Sequence, residues 1–207
     1  HVVALGKGVK GLREGDFVAV DPNVVCGKCR WCTVGRPNLC IQLTPIGVGR
    51  PGAAAELVNV PAKNAFIIKE SLGGELGALI EPLACVIHAI ESSQGVKHKT
   101  VLVLGGGTMG LLTAVVSDIS GASRVVLADP ASSKRAIATR AGIAEVVDPA
   151  TLGAECFDVV FEAAGVKPAL ENALTLVEKT GVLVQIGVHD EDAIVGFNPF
   201  KIYEREI

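Results

Sequence analysis

The sequence predicts an α/β chain in two parts. A β-rich first part carries a metal lobe, and a doubly wound parallel sheet follows it. Three observations predict this. Residues 101–110 read Val-Leu-Val-Leu-Gly-Gly-Gly-Thr-Met-Gly, an uncharged β-type run that ends in Gly-x-Gly-x-x-Gly and passes into an apolar helical pattern. From about residue 96, apolar runs of strand length alternate with amphipathic runs of helix length, as in a parallel sheet covered on both faces. Cys26, Cys29, Cys32 and Cys40 stand at C-x2-C-x2-C-x7-C spacing. The expected parts are residues 1–95, with the metal lobe at about 21–45, and residues 96–207.

Composition narrows the function classes. The 207 residues are 49% hydrophobic and 20% charged, which suits one or two globular domains. The net charge of -3 comes without a basic block, so nucleic acid and anionic membranes are not expected partners. The longest uncharged stretch, near 101–117, is broken by glycines and reads as strand plus buried helix rather than a membrane span. No secretory or transit pattern opens the sequence. Four of the six cysteines crowd together, which fits a metal cluster in a reducing compartment rather than a disulfide framework. The expected location is therefore cytoplasmic. Residues 2–5 open the chain inside an apolar run, and Tyr203-Glu204-Arg205-Glu206-Ile207 ends it without a cap. We expect a fragment of a longer protein.

In chain order, β-type runs at 2–5, 17–20 and 57–60 are separated by Gly, Pro and charged turns. Their spacing predicts a small barrel or sandwich. Four thiolates on the cysteine loop can close a tetrahedral shell around zinc, and a closed shell makes the metal structural. The C-x2-C-x2-C opening also begins the bacterial ferredoxin pattern, so an iron–sulfur electron carrier is the rival. That pattern continues x3-C-P, whereas here x7-C is followed by Ile41. Lys28, Arg30 and Arg36 are placed to offset the thiolate charge.

In the second part, strands are expected at 101–104, 124–128, 145–147, 157–161 and 181–186, and helices at 109–120, 132–141 and 168–178. Gly105 permits a sharp turn, Gly107 lets the backbone approach a pyrophosphate, and Gly110 lets the helix pack close to the strand. Thr108 and Met109 open that helix, where unpaired N–H groups and the positive dipole end face the phosphate. This is the Rossmann dinucleotide fingerprint. Asp129 ends the next strand, 19 residues past Gly110. A carboxylate there accepts from the adenosine ribose hydroxyls and repels a 2'-phosphate, which favours NAD over NADP. Lys134 and Arg135 either bond ribose or phosphate or form a solvated first turn. His189, Asp190, Glu191 and Asp192 read as an exposed loop without chemistry.

Four features occur in order: Val3-Ala4-Leu5-Gly6 with Gly8-Val9, then Gly15-Asp16-Phe17-Val18, the four-cysteine lobe, and the fingerprint at Gly105–Gly110. On these the chain resembles the zinc-dependent medium-chain dehydrogenases/reductases, the alcohol dehydrogenase superfamily, over essentially its whole length. The resemblance implies a partial GroES-like β-barrel catalytic domain over 1–95 and a C-terminally incomplete Rossmann NAD-binding domain over 96–207. Glu81-Pro82-Leu83 is similar to the run that supplies a glutamate to the catalytic zinc in the sorbitol, threonine and polyol dehydrogenase branch, which implies Glu81 as a zinc ligand. The other reading of this residue is a carboxylate at a helix N-terminus, favoured by the dipole. His88 reads as a packed histidine or one supporting a ligand, and Cys85 as a small core residue.

The family's other catalytic-zinc ligands are a cysteine near the start and a Gly-His-Glu motif. Neither is present, and His1 is followed by Val2, so it is not assigned. One complete zinc site and one broken one are expected. By resemblance, Ala163-Ala164 and Gly187-Val188 line the two ends of the cofactor. The implied activity is oxidation of a secondary alcohol, a polyol or sugar alcohol, to a ketone with NAD+. Zinc would lower the pKa of the alcohol, and hydride would pass to the nicotinamide. The implied assembly is a homodimer or tetramer. Two alternatives are kept: a noncatalytic zinc- and nucleotide-binding fragment, and a zinc-dependent alcohol/aldehyde reductase.

Overall fold

Short β-type runs at the start of the chain pair only in twos. The computed structural model describes residues 1–207 and divides them into two units, His1–Glu81 and Pro82–Ile207. The first unit holds β1 (Val18–Val20), β2 (Asn23–Val24), β3 (Thr44–Pro45) and β4 (Ala65–Ile67), with two short helices, α1 (Arg30–Thr33) and α2 (Gly73–Gly77). β1 runs antiparallel to β4, with Val18 opposite Ile67. β2 runs antiparallel to β3, with Asn23 opposite Pro45. The cysteine loop is the connection between β2 and β3. Asn64 anchors its base, donating from Nδ2 to the carbonyls of Asp21 and Asn23, both at 3.0 Å.

Two runs expected as strands do not become strands. Residues 2–5 and 57–60 carry no ladder. Val2 instead closes a turn, donating to Asp16 and accepting from Gly15. Val3 is 63% exposed and Leu57 68%.

The second unit opens within α3 (Ile80–Ser92), which turns Val86, Ala89 and Ile90 into the core. These lie at i, i+3 and i+4, one face of a helix. That packing joins the helix to the second unit, which begins at Pro82. Then follow β5 (Thr100–Leu104), α4 (Thr108–Ile119), β6 (Arg124–Ala128), α5 (Ser132–Arg140), β7 (Glu145–Val147), β8 (Phe157–Glu162), α6 (Lys167–Ala173), β9 (Val177–Gln185) and α7 (Pro199–Arg205).

All neighbouring strands in the sheet are parallel, in the order β7-β6-β5-β8-β9. Alternation splits the apolar residues between faces. Val101, Val103, Val125, Leu127 and Phe161 pack with α3 and α4 on one side. Leu102, Leu104, Val126 and Val160 pack with Ala173, Leu176 and Val177 on the other.

The helix expected over 168–178 stops at Ala173. Leu176 and Val177 are buried at 1% and 0% exposure, and Val177 already pairs with Phe157 in the ladder, so core burial overrides the helical periodicity. β9 bulges near Thr180, which takes φ +60°, and its register shifts there. The sequence reading did not place α7. Its start is an Asn-Pro signal: Asn198 accepts the N–H of Phe200, and Pro199 opens the helix. No single helix is long and apolar enough to cross a membrane.

Candidate functional site

The metal centre is built by the β2–β3 connection. The Sγ atoms of Cys26, Cys29, Cys32 and Cys40 all lie within 4.8 Å of one another. Backbone N–H groups aim at them: Cys29 donates to the sulfur of Cys26 at 3.3 Å, Cys26 to that of Cys40 at 3.3 Å, and Gln42 to that of Cys40 at 3.4 Å. Such donors stabilise the thiolate form. Accordingly, the N–H groups of Lys28 and Cys29 hold the Cys26 thiol below its ordinary range. Those of Cys32 and Ile41 hold Cys29 down to about 6. Desolvation, then the neighbouring Cys29, pushes Cys32 up to about 12.

Four sulfurs this close, some already favouring the anion, fit one tetrahedral divalent ion that expels the remaining protons. Lys28, Arg30 and Arg36 are exposed and form no ion pair. Arg30 instead lies over the Trp31 ring, 5.2 Å from its centroid.

Glu81 sits in the first turn of α3 and is exposed. Cys85 and His88 are exposed as well, so the expectation of a core cysteine and a packed histidine is corrected. The core-facing stripe of the helix is Val86, Ala89, Ile90 and Ser93. Residues 81, 85 and 88 share a separate, exposed stripe at i, i+4 and i+7. The chain's one close group of three or more metal-binding side chains is the cysteine quartet.

The second site lies at the carboxyl ends of β5, β6 and β8. The chain winds outward in one direction from β5 to β7, then returns to place β8 on the other side of β5. A crevice forms at that reversal, where open α/β sheets bind ligands. Gly105 takes φ +110°, and a Cβ there would stand 2.9 Å from the backbone of Ala163 and Ala164. A Cβ on Gly107 would meet nothing within 4 Å, so this position opens onto free space. A Cβ on Gly110 would overlap the carbonyl oxygen of Gly105. The three glycines thus divide into a turn, an open approach and a close packing.

Gly107 caps α4 without a side-chain partner, and no acidic residue lies in the first turn. The first N–H groups of α4 are thus left without a side-chain cap, the condition under which helix N-termini receive anions. A cavity of about 710 Å³ adjoins Gly105 and Gly107, with Asp129, Lys134, Pro149, Ala164 and Asn172 on its walls.

Asp129 is only 3% exposed. Its Oδ2 accepts the N–H of Gly106 at 2.7 Å and its Oδ1 that of Ala131 at 2.8 Å, while Lys134 Nζ lies 3.6 Å away. Asp129 therefore fixes the glycine turn, with lone pairs left for a further donor. Arg135 is turned inward: its NH1 donates to the carbonyls of Asp129 and Pro130 and to Asp148. Ala164 is exposed beside the crevice, and Val188 is 90% exposed after β9.

The sequence reading missed Glu162, which ends β8 fully buried. Its Oε1 accepts the N–H groups of Ala164 and Gly165, both at 2.8 Å. Its Oε2 stands 3.3 Å from His189 Nε2. The His189 side chain is 10% exposed, so it does not belong to a solvated loop. The signal available was a carboxylate closing an apolar strand, the same signal that singled out Asp129.

Both parts of the chain match known domains. Residues 1–70 match the alcohol dehydrogenase GroES-like domain, and residues 108–207 match the zinc-binding dehydrogenase domain. An L-threonine 3-dehydrogenase of Serratia proteamaculans (strain 568) is 34% identical over the whole chain, which spans 66% of that relative's length. A protein assigned as a zinc-binding dehydrogenase from Sinorhizobium meliloti 1021, solved with NADP, superposes with TM-score 0.93 at 38% identity, covering 99% of this chain and 64% of that one. Galactitol-1-phosphate dehydrogenase from Escherichia coli superposes with TM-score 0.90 at 29% identity, covering 99% and 62%.

Proposed function

This chain belongs to the zinc-dependent alcohol dehydrogenase superfamily, and from that premise we propose that it is the structural-zinc and nucleotide-binding part of a dehydrogenase acting on a secondary alcohol. Cys26, Cys29, Cys32 and Cys40 hold one structural zinc. The observation that carries this is the mutual approach of the four sulfurs within 4.8 Å. Gly105, Gly107, Gly110 and the N–H groups of Thr108 and Met109 receive the pyrophosphate. Asp129, with Lys134 beside it, meets the adenosine ribose. Ala164 and Val188 border the cofactor on the β8–β9 side.

When bound, a nicotinamide dinucleotide supplies the redox partner for interconverting an alcohol and a carbonyl. The Asp129 carboxylate supports NAD over NADP, because a 2'-phosphate would meet its charge. Small-molecule polyols or amino alcohols are the proposed substrates, in keeping with relatives named for threonine and galactitol-1-phosphate. Homo-oligomeric assembly and a cytoplasmic location belong to the same reading.

Glu81 is the proposed ligand of a catalytic zinc in the longer protein. Within these residues no second metal group forms around it. The reading of the 207-residue chain as a noncatalytic binding module is favoured by the same observation. Elemental analysis with fluorescence titration tests both. We expect one zinc per chain, binding of NADH tighter than NADPH, and no turnover of polyols. Iron in place of zinc, or failure to bind either nucleotide, would refute the proposal.

A further inference from the structure

Glu162 is buried with no exposure at the end of β8, where an ionised carboxylate needs several partners to offset its lost hydration. It has three. Two are the N–H groups of Ala164 and Gly165. The third is His189 Nε2 at 3.3 Å. The surroundings are also tightly closed: a Cβ on Gly187 would stand 2.6 Å from Glu162 Oε2 and would overlap the amide of Gly165. The main chain joins the same two loops, since the Glu162 carbonyl accepts from Ile186 and Gly187 at 2.7 and 2.9 Å. Gly165 takes φ +67°, and a Cβ there would stand 2.7 Å from the Val188 carbonyl. One carboxylate thus ties the loop after β8, residues 163–165, to the loop after β9, residues 187–189.

The position of this tie in the sheet gives it a use. A dinucleotide lies across the crevice with its pyrophosphate at the glycine turn. Asp129, Ala131 and Pro149 stand on the β6–β7 side of that turn, and the tied loops stand on the β8–β9 side. On the proposed reading the adenosine half takes the first side and the nicotinamide half the second.

We infer that Glu162 and His189 form a latch that sets the loops after β8 and β9 for the nicotinamide half of the cofactor, as positioning residues for that half alone. The inference rests on the proposed dinucleotide site. Ala164 and the exposed Val188 are the groups the latch presents. Neither Glu162 nor His189 touches the adenosine side, where Asp129 holds the glycine turn by separate bonds.

The test compares two ligands on the 207-residue chain. NADH carries both halves, and ADP-ribose lacks the nicotinamide. Each is titrated by calorimetry into wild type, Glu162→Gln, His189→Gln and the double variant. Loss of a hydrogen bond to a charged group predicts that Kd for NADH rises about tenfold in either single variant. Kd for ADP-ribose should stay within about twofold, and the double variant should be no weaker than the worse single one, as for two members of one interaction. If Glu162→Gln does not fold, His189→Gln decides alone, because it leaves the buried carboxylate and its two backbone N–H donors in place.

Equal weakening of both ligands, or no change for NADH, overturns the latch. Wild type binding neither ligand overturns the dinucleotide site and the latch with it. Wild type binding both, with variants unchanged, overturns the latch only.

Discussion

In the first unit Cys40 is the one buried apolar residue, whereas the second buries Leu102, Leu127, Phe157, Val160 and Phe161 with almost no exposure. The first unit's strands are two or three residues long and pair in twos. The second's sheet has five strands with apolar residues on both faces. Two-stranded ladders are marginal in water by themselves, and a lobe with no core needs another source of order. The cysteine quartet supplies one, since metal binding to a small lobe is folding free energy. The parallel sheet draws instead on burial of apolar surface. The two units should therefore respond to different insults.

Chelation should have the largest effect and should act on one unit. Structural zinc contributes roughly 10–16 kcal/mol in zinc-finger peptides, so zinc removal should unfold residues around 26–42 while sheet signals persist. Circular dichroism with zinc release followed by a colorimetric chelator would measure this. The pH dependence has a definite sign. Zinc must displace the proton of Cys32, whose pKa is pushed up to about 12, so apparent affinity falls as pH falls. Below about 6 the Cys29 thiolate is also lost. Zinc retained unchanged from pH 8 to pH 5 would contradict the coupling.

Phe161→Ala attacks the other unit. The side chain is fully buried against α4 and its neighbours, and its loss should cost about 3–5 kcal/mol. Urea unfolding would show the sheet transition move while zinc content stays at one per chain. Gly110→Ala is next. The added methyl meets the Gly105 carbonyl, and the forced shift should cost about 1–3 kcal/mol and weaken NADH binding. An alanine variant binding NADH like wild type would show that the helix and the glycine turn need not approach so closely.

The smallest effect is electrostatic. Arg124 bonds both oxygens of Glu145 at 2.7 Å and also meets Glu155. The Arg124 bonds hold the Glu145 carboxyl below its ordinary range. A depressed carboxylate contributes stability above the unfolded value near 4.5 and loses it as pH falls through the folded value. Both side chains are more than a third exposed, at 35% and 42%, so screening should keep the contribution under about 1 kcal/mol. Glu145→Gln should remove most of this pH slope and leave zinc binding untouched.

The same contrast decided what the sequence could disclose. Apolar runs at β5, β6 and β8 were legible almost to the residue because each is fixed by burial, the property that periodicity reports. The cysteine quartet was legible because ligand spacing is itself the structural constraint. The runs at 2–5 and 57–60 misled, since β-type composition is realised as a strand only when a partner lies alongside. The end of α6 misled because Leu176 and Val177 serve the sheet core despite continuing a helical pattern. The latch of Glu162 was invisible for another reason. Its partners, Ala164, Gly165 and His189, come together only when β8 and β9 pair, and no local pattern announces that.

Hydrogen exchange of backbone amides, read by mass spectrometry with and without a strong zinc chelator, tests the central contrast most directly. The account predicts that amides of Cys26, Cys29, Gln42 and their neighbours lose protection on chelation while those of β5, β6 and β8 keep theirs. Protection lost together in both units would contradict it, as would a cysteine lobe that exchanges at the same rate with zinc and without.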